Sequence, residues 1–232
     1  FYGIAWDGVY GYDDFEVDAT GAYVLKKSVP TNGNARETIQ PGDIKYVDQN
    51  GDGVVNDQDM VIIGRATPIH TGGFNNNFTY KGLSLNIFFQ WSYGNDIMNA
   101  NRIIFEGNYN GKNINQFRSY VDHWTPENPT SRNFRPGGQG PRGVYSSRTI
   151  EDGSFLRLKT VQLSYTLPEK WVRRIHLHNV QIFVSGQNLW TWTRYSGLDP
   201  EVSTRNSALT PGYDYSAYAR NRTYMAGLKI AF

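Results

Sequence analysis

The chain has no cysteine, which excludes disulfides, thiolate metal centres and a cysteine nucleophile. No stretch approaches the run of about 20 apolar residues that a spanning helix needs. Net charge is only +2, from 23 basic and 21 acidic residues. A nucleic-acid binder concentrates basic residues on one face; here the loose arginine run from Arg132 to Arg148 is broken by Gly and Pro, so no nucleic-acid partner is expected. Histidines number four, at 70, 123, 176 and 178. No Ser/His/Asp order, nucleophile elbow or phosphate loop accompanies them, so the chain does not read as an enzyme, and catalytic residues are assigned to none. There is no initiator Met or signal peptide. The opening Phe1-Tyr2-Gly3 reads as the start of a fragment of something longer.

Aromatics and turn residues are present instead, with 16 Tyr, 12 Phe, 6 Trp and 24 Gly in 232 residues. Such a chain is too aromatic for disorder and points to strands and loops. Residues 1–70 are rich in turn clusters. Beyond them, Leu83, Leu85, Ile87, Phe89 and Trp91 alternate with Ser84, Asn86, Phe88 and Gln90, the period of a strand. A weaker alternation from Phe74 to Tyr80 precedes it, joined by Lys81-Gly82 as a tight hairpin turn. The third strand runs from Phe155 to Leu167. Leu156 and Leu158 are out of phase with Val161, Leu163 and Tyr165, which predicts a bulge near Lys159-Thr160. A fourth strand occupies 180–192 and a fifth 224–232.

The connections alternate: two residues at 81–82, a long loop over about 96–153, roughly ten residues at 168–177, and a long loop over about 196–219. Short turns at one end and long loops at the other are expected of a transmembrane antiparallel β-barrel. Its lipid-facing positions must be apolar while alternate positions stay wet. Tyr80, Trp91, Trp190, Trp192 and Tyr224, near strand ends, suit interfacial girdles in contact with membrane lipid. A soluble β-sandwich with the same alternation remains the competing reading, as a calcium-stabilised adhesion or carbohydrate-binding module. It requires Leu85, Ile87, Ile182 and Ile230 to converge in a dry core between two sheets.

One segment carries sharp chemistry. Residues 48–59 read as an EF-hand-like loop. Asp48, Asn50 and Asp52 stand at ligand positions 1, 3 and 5, Gly53 at the turn, the Val54 carbonyl at 7, Asn56 at 9 and Asp59 at 12. The all-oxygen set suits calcium as a structural cofactor. A turn cluster without metal is the alternative. Tyr195, Tyr213, Tyr215 and Tyr218 are candidate ligand-stacking residues, with loop packing or partner contact as the competing role. Trp124 to Pro129 is either a partner-docking segment or a rigid loop.

Several stretches, in order, resemble the SusC/RagA family of TonB-dependent outer-membrane proteins. They include Asp7-Gly8-Val9-Tyr10, Pro41-Gly42-Asp43-Ile44-Lys45-Tyr46 running into Asp48–Gly53, and Tyr93-Gly94-Asn95-Asp96. Further matches are Trp124-Thr125-Pro126-Glu127-Asn128-Pro129, the run from Glu151 to Lys159, Ser185-Gly186-Gln187-Asn188-Leu189, and Tyr195-Ser196-Gly197 with Asp199-Pro200-Glu201. The closing strand, with Tyr224, Leu228, Ile230 and a terminal Phe232, resembles the barrel-assembly signal of such proteins.

The resemblance implies an all-β fold: the C-terminal strands of a barrel that is 22-stranded in the family, with long extracellular loops. Residues 1–70 then form an extracellular loop region containing the calcium loop, and 71–232 the last five strands with extracellular loops at about 96–153 and 196–219. It further implies import of oligosaccharides or peptides across the outer membrane of a Gram-negative, Bacteroidota-type cell. The implied partners are a SusD-like surface lipoprotein and, through an absent N-terminal part, TonB.

Overall fold

The structure is a computed structural model describing residues 1–107, 114–141, 145–202 and 209–232. Arg142 of the arginine run, and parts of both long connections, lie outside the described residues. No helix among the described residues is long and apolar enough to cross a membrane. The chain divides into two compact units, one drawn from residues 1–66, 97–151 and 203–216, the other from 67–96, 152–202 and 217–232.

The second unit holds the five long strands: β1 (His70–Tyr80), β2 (Leu83–Tyr93), β3 (Phe155–Thr166), β4 (Asn179–Thr193) and β5 (Thr223–Ala231). They form one antiparallel sheet in the order β5-β4-β3-β2-β1. All five lie within about four residues of their expected limits, and β1 begins earlier than its weak alternation indicated. Lys81 and Gly82 both have positive φ, 46° and 83°. That conformation gives a two-residue turn whose twist matches the strands it joins. A Cβ at Gly82 would also lie 2.7 Å from the Thr166 carbonyl oxygen, so space and conformation both demand glycine.

The bulge falls where the phase slip put it. The registers of β3 against both neighbours shift between Leu158 and Thr160. Across that level β2 advances one residue, β3 two and β4 three. Asn188 absorbs the last of these with φ of 52°, in the left-handed region that Asn tolerates better than most residues. The slip therefore keeps apolar side chains on one face through the whole sheet, where a straight β3 would have turned half of them over.

That face is continuous. Tyr80 pairs with Leu83, Phe78 with Leu85 and Phe74 with Phe89. Leu85 pairs with Leu163, which pairs with Val184, which pairs with Ala226. Many of these residues are exposed, Ile182, Val184, Trp190 and Leu228 among them. Leu85, Ile87, Ile182 and Ile230 share this one surface of a single sheet, and among the described residues of this unit no second sheet is laid over it. The β-sandwich reading is thereby corrected: alternation came from a sheet with two different solvents in prospect, not from two sheets sharing a core.

The opposite face is polar. Asn86 donates to the side-chain oxygens of Asn75 and Asn77 at 2.8 and 2.6 Å, and Gln181 donates to Ser164 at 3.3 Å. An amide spends both N–H bonds across the strand boundary this way, so the polar face is satisfied without a core. Phe88 and Phe183 interrupt it. Their rings cover glycines on neighbouring strands, Gly73 and Gly227, which leaves both half-buried.

The first unit, expected as loop, is a compact body of short elements. Tyr2–Ile4 pairs with Met60–Ile62, Trp6–Val9 with Ile44–Tyr46, and Phe15–Val17 with Tyr23–Leu25. Two clusters hold it: Ile4, Ile44, Tyr46, Val55, Tyr120 and Phe134 in one; Tyr10, Phe15, Leu25 and Ile39 in the other. Residues 97–151 and 203–216 belong to the same body as 1–66. Trp124 is buried with its ring against Gly42, which favours the rigid-loop role for the 124–129 segment.

Candidate functional site

The sheet itself is the first functional element. Eleven residues in β2 at about 3.4 Å each extend about 37 Å. Tilted by about 45°, such a strand projects about 26 Å, close to the apolar band of an outer-membrane barrel. Trp190 and Trp192 sit near the end of β4 that meets the long connection, exposed on the apolar face with ring centroids 6.3 Å apart. Tyr224, Leu228 and Ile230 lie exposed along the same face of β5, and Phe232 follows them, also exposed. Tyr80 and Tyr165 stand on that face at the short-turn end.

At the long-connection end, the polar face carries a buried ionic cluster that sequence reasoning missed. Arg157 projects from β3 between Leu156 and Leu158 and is 2% exposed. Its Nη2 donates to Asp199 at 2.5 Å, its Nη1 to Glu201 at 3.0 Å and its Nε to the Thr191 hydroxyl at 3.0 Å. Glu201 also pairs with Arg220 at 3.0 Å and Lys159 at 3.7 Å. Burial raises the Asp199 carboxyl, but the Glu201 N–H, the Arg157 guanidinium and the Arg220 N–H outweigh it and hold it below the ordinary range. Two separately recognised stretches, Glu151–Lys159 and Asp199-Pro200-Glu201, are thus halves of one cluster. The available signal was a charged residue centred in an otherwise apolar strand segment.

The acidic loop is held by hydrogen bonds among its own residues. Asp48 accepts from the N–H groups of Gly51 and Gly53, both at 2.8 Å. Asp52 accepts from Val54 at 2.8 Å, and Asn56 donates to the Val54 carbonyl at 3.1 Å. Gly53, at φ of 86°, makes the sharp turn. Asp59 is fully buried, closing the loop through Gln49 N–H at 2.9 Å and Asn56 N–H at 2.7 Å. Burial pushes its carboxyl up, yet these bonds and the nearby Asp48 side chain bring it below the usual value. The loop ends in a short 3-10 turn, Asp57–Asp59, and the strand Met60–Ile62, not an EF-hand helix, follows it. Among the described residues, no three His, Asp or Glu side chains converge as a metal cage. The donors in reach of the loop are oxygens, and Asp48 and Asp59 approach each other, an arrangement that a divalent cation would stabilise.

The four tyrosines differ in burial and are divided between the two units. Tyr195 is 5% exposed, with its ring against Gly197, whereas Tyr218 is 89% exposed. Tyr213 and Tyr215 line one cavity of about 210 Å³ in the first unit, together with Tyr46, Phe134 and Arg148. Arg148 is buried there and pairs with Glu106 at 2.5 Å.

Known proteins place this architecture. The TonB-dependent receptor P3 of Formosa agariphila is 34% identical across the entire chain. The chain belongs with the SusC/RagA-type TonB-dependent receptors. Receptor P26 of the same organism is 33% identical, again over the entire chain. SusC of Bacteroides thetaiotaomicron is 23% identical over 92% of it. The chain spans 22% of P3 and of P26 and 19% of SusC, about a fifth of each receptor. No protein-family model matches it. Among solved structures, the RagAB peptide importer in its closed-closed state superposes over the whole chain with a TM-score of 0.71. That match has 24% identity and covers 23% of the importer chain. The open-open state gives 0.70. The five-stranded sheet is thus an arc of a TonB-dependent barrel, and within this chain it remains open.

Proposed function

We propose that the chain forms part of the wall and extracellular loops of an outer-membrane importer that takes up oligosaccharides or peptides. The carrying observation is the sheet with one apolar and one polar face, the apolar one uncovered by a second sheet among the described residues of its unit. Exposed side chains such as Ile182, Val184, Leu228 and Ile230 have no protein cover, and burying each in hydrocarbon is worth about 1.5–3 kcal/mol. The open edges on β1 and β5 would pair with further strands of the full-length protein, because unpaired backbone is not tolerated in lipid. The long connections face outward and the 81–82 and 168–177 connections face the periplasm.

In this reading a SusD-like lipoprotein covers the barrel mouth, and TonB engages a part of the protein outside this chain. The Asp48, Asn50, Asp52, Val54, Asn56 and Asp59 oxygens would hold one calcium ion, whose charge offsets the facing Asp48 and Asp59 carboxylates and braces the loop. The test is membrane partition of the full-length protein. It should fractionate with the outer membrane and require detergent to remain monodisperse. A detergent-free monodisperse protein would refute the barrel reading.

A further inference from the structure

We infer that the long-connection end of β4 carries a binding site for the phosphate headgroup of a membrane lipid. This rests on the barrel reading above. The ladder between β4 and β5 ends at the pair Gln187–Thr223, so among the described residues Asn188 to Thr193 have no strand partner on that side. The chain arriving at β5 crosses this gap, tied by the Asn188 side chain donating to the Asn221 carbonyl at 3.0 Å. A cavity of about 240 Å³ opens there, lined by Arg157, Arg220, Arg222, Trp190, Thr191 and Thr193, with Asp199 as its acidic member.

The charges are unequal and differently engaged. Arg157 is consumed by Asp199 and Glu201, and Arg220 by Glu201. Arg222 forms no ion pair among the described residues. Its guanidinium sits over the Trp190 ring, 5.9 Å from the centroid, leaving its N–H donors to an outside acceptor. The Thr193 hydroxyl is already donated to the Ser154 carbonyl at 2.9 Å and the Thr191 hydroxyl accepts from Arg157, so the planar Arg222 guanidinium on its aromatic ring supplies the donors that a phosphate accepts. Position selects the source. Trp190 stands on the apolar face near the strand end, at the depth where aromatic belts meet headgroups. A phosphate held there belongs to a lipid whose chains lie along the β4 and β5 surface.

The experiment uses the full-length importer in nanodiscs of phosphatidylcholine containing a minority of phosphatidate, with native mass spectrometry reading the lipids retained after release. Wild-type protein should retain phosphatidate over phosphatidylcholine, and Arg222→Gln should lower that preference about five-fold, the effect of one basic residue near a membrane surface. Arg194→Gln should leave it unchanged, since Arg194 is exposed at the same end but does not line the cavity. Equal retention by wild type and Arg222→Gln, or an equal loss with Arg194→Gln, overturns the site. Displacement of the lipid by millimolar inorganic phosphate overturns the lipid assignment in favour of a free anion. A protein that enters nanodiscs without lipid preference defeats only this site, whereas one that never enters them defeats the barrel reading.

Discussion

At the residue scale, the strongest commitments are buried charges. Arg157 and Asp199 are 2% and 6% exposed at their side chains, so removing one partner leaves an uncompensated ion. Arg157→Met is expected to destabilise the full-length protein by about 3–5 kcal/mol, whereas Arg157→Met with Asp199→Leu should recover much of that loss. Denaturant melts of both variants decide it. Because the folded Asp199 carboxyl sits below its unfolded value, its contribution is complete above about pH 4 and disappears as pH falls through the folded value. Asp199→Asn should flatten that acidic limb of a melting-temperature profile. The proposed calcium site in the acidic loop has its own check: added calcium should raise the melting temperature of the wild type, and Asp52→Ala should abolish the increment. An increment that survives in the variant would remove the proposed ligand set.

At the element scale, the two faces of β4 make opposite demands. Ile182 points to the apolar face and Ser185 to the polar one, three residues further on. Ile182→Lys should cost about 2–4 kcal/mol if it lies near the bilayer midplane, and Ser185→Lys much less. Heat-modifiable gel migration after refolding into lipid would show whether the asymmetry holds. The same two-residue period made the strands legible in the sequence, and the phase slip at Leu156 and Leu158 even located the bulge. The Arg157 cluster was not legible. Its partners lie 42 and 44 residues away in the chain, and no local period reports a contact closed by a loop. The turns of the acidic loop were readable because its carboxylates and turn glycines are set within twelve consecutive residues.

At the scale of the whole molecule, the apolar face predicts behaviour rather than contacts. Full-length protein transferred from detergent into detergent-free buffer should aggregate, and transfer into nanodiscs should keep it monodisperse, as size-exclusion chromatography would show. The body built from the connections was the least legible part. Its short strands carry too few residues for a periodic signal, and its cores gather side chains such as Ile4, Ile44 and Phe134 from distant stretches. Met98–Asn99 aligns parallel with Tyr213–Asp214, a pairing that no local turn could announce.

That parallel pairing sets a timetable. Residues 98 and 213 meet only after the chain between them has been laid down, and closing so long a loop brings its entropic cost before any contact repays it. The body containing it cannot reach its final arrangement until residues 213–214 have arrived, by which point four of the five long strands have already been made. Pulse-labelled hydrogen exchange should therefore find the amides of 96–99 protected late, after those of β2 and β3, whose pairings close over far shorter stretches of chain or need no such late arrival.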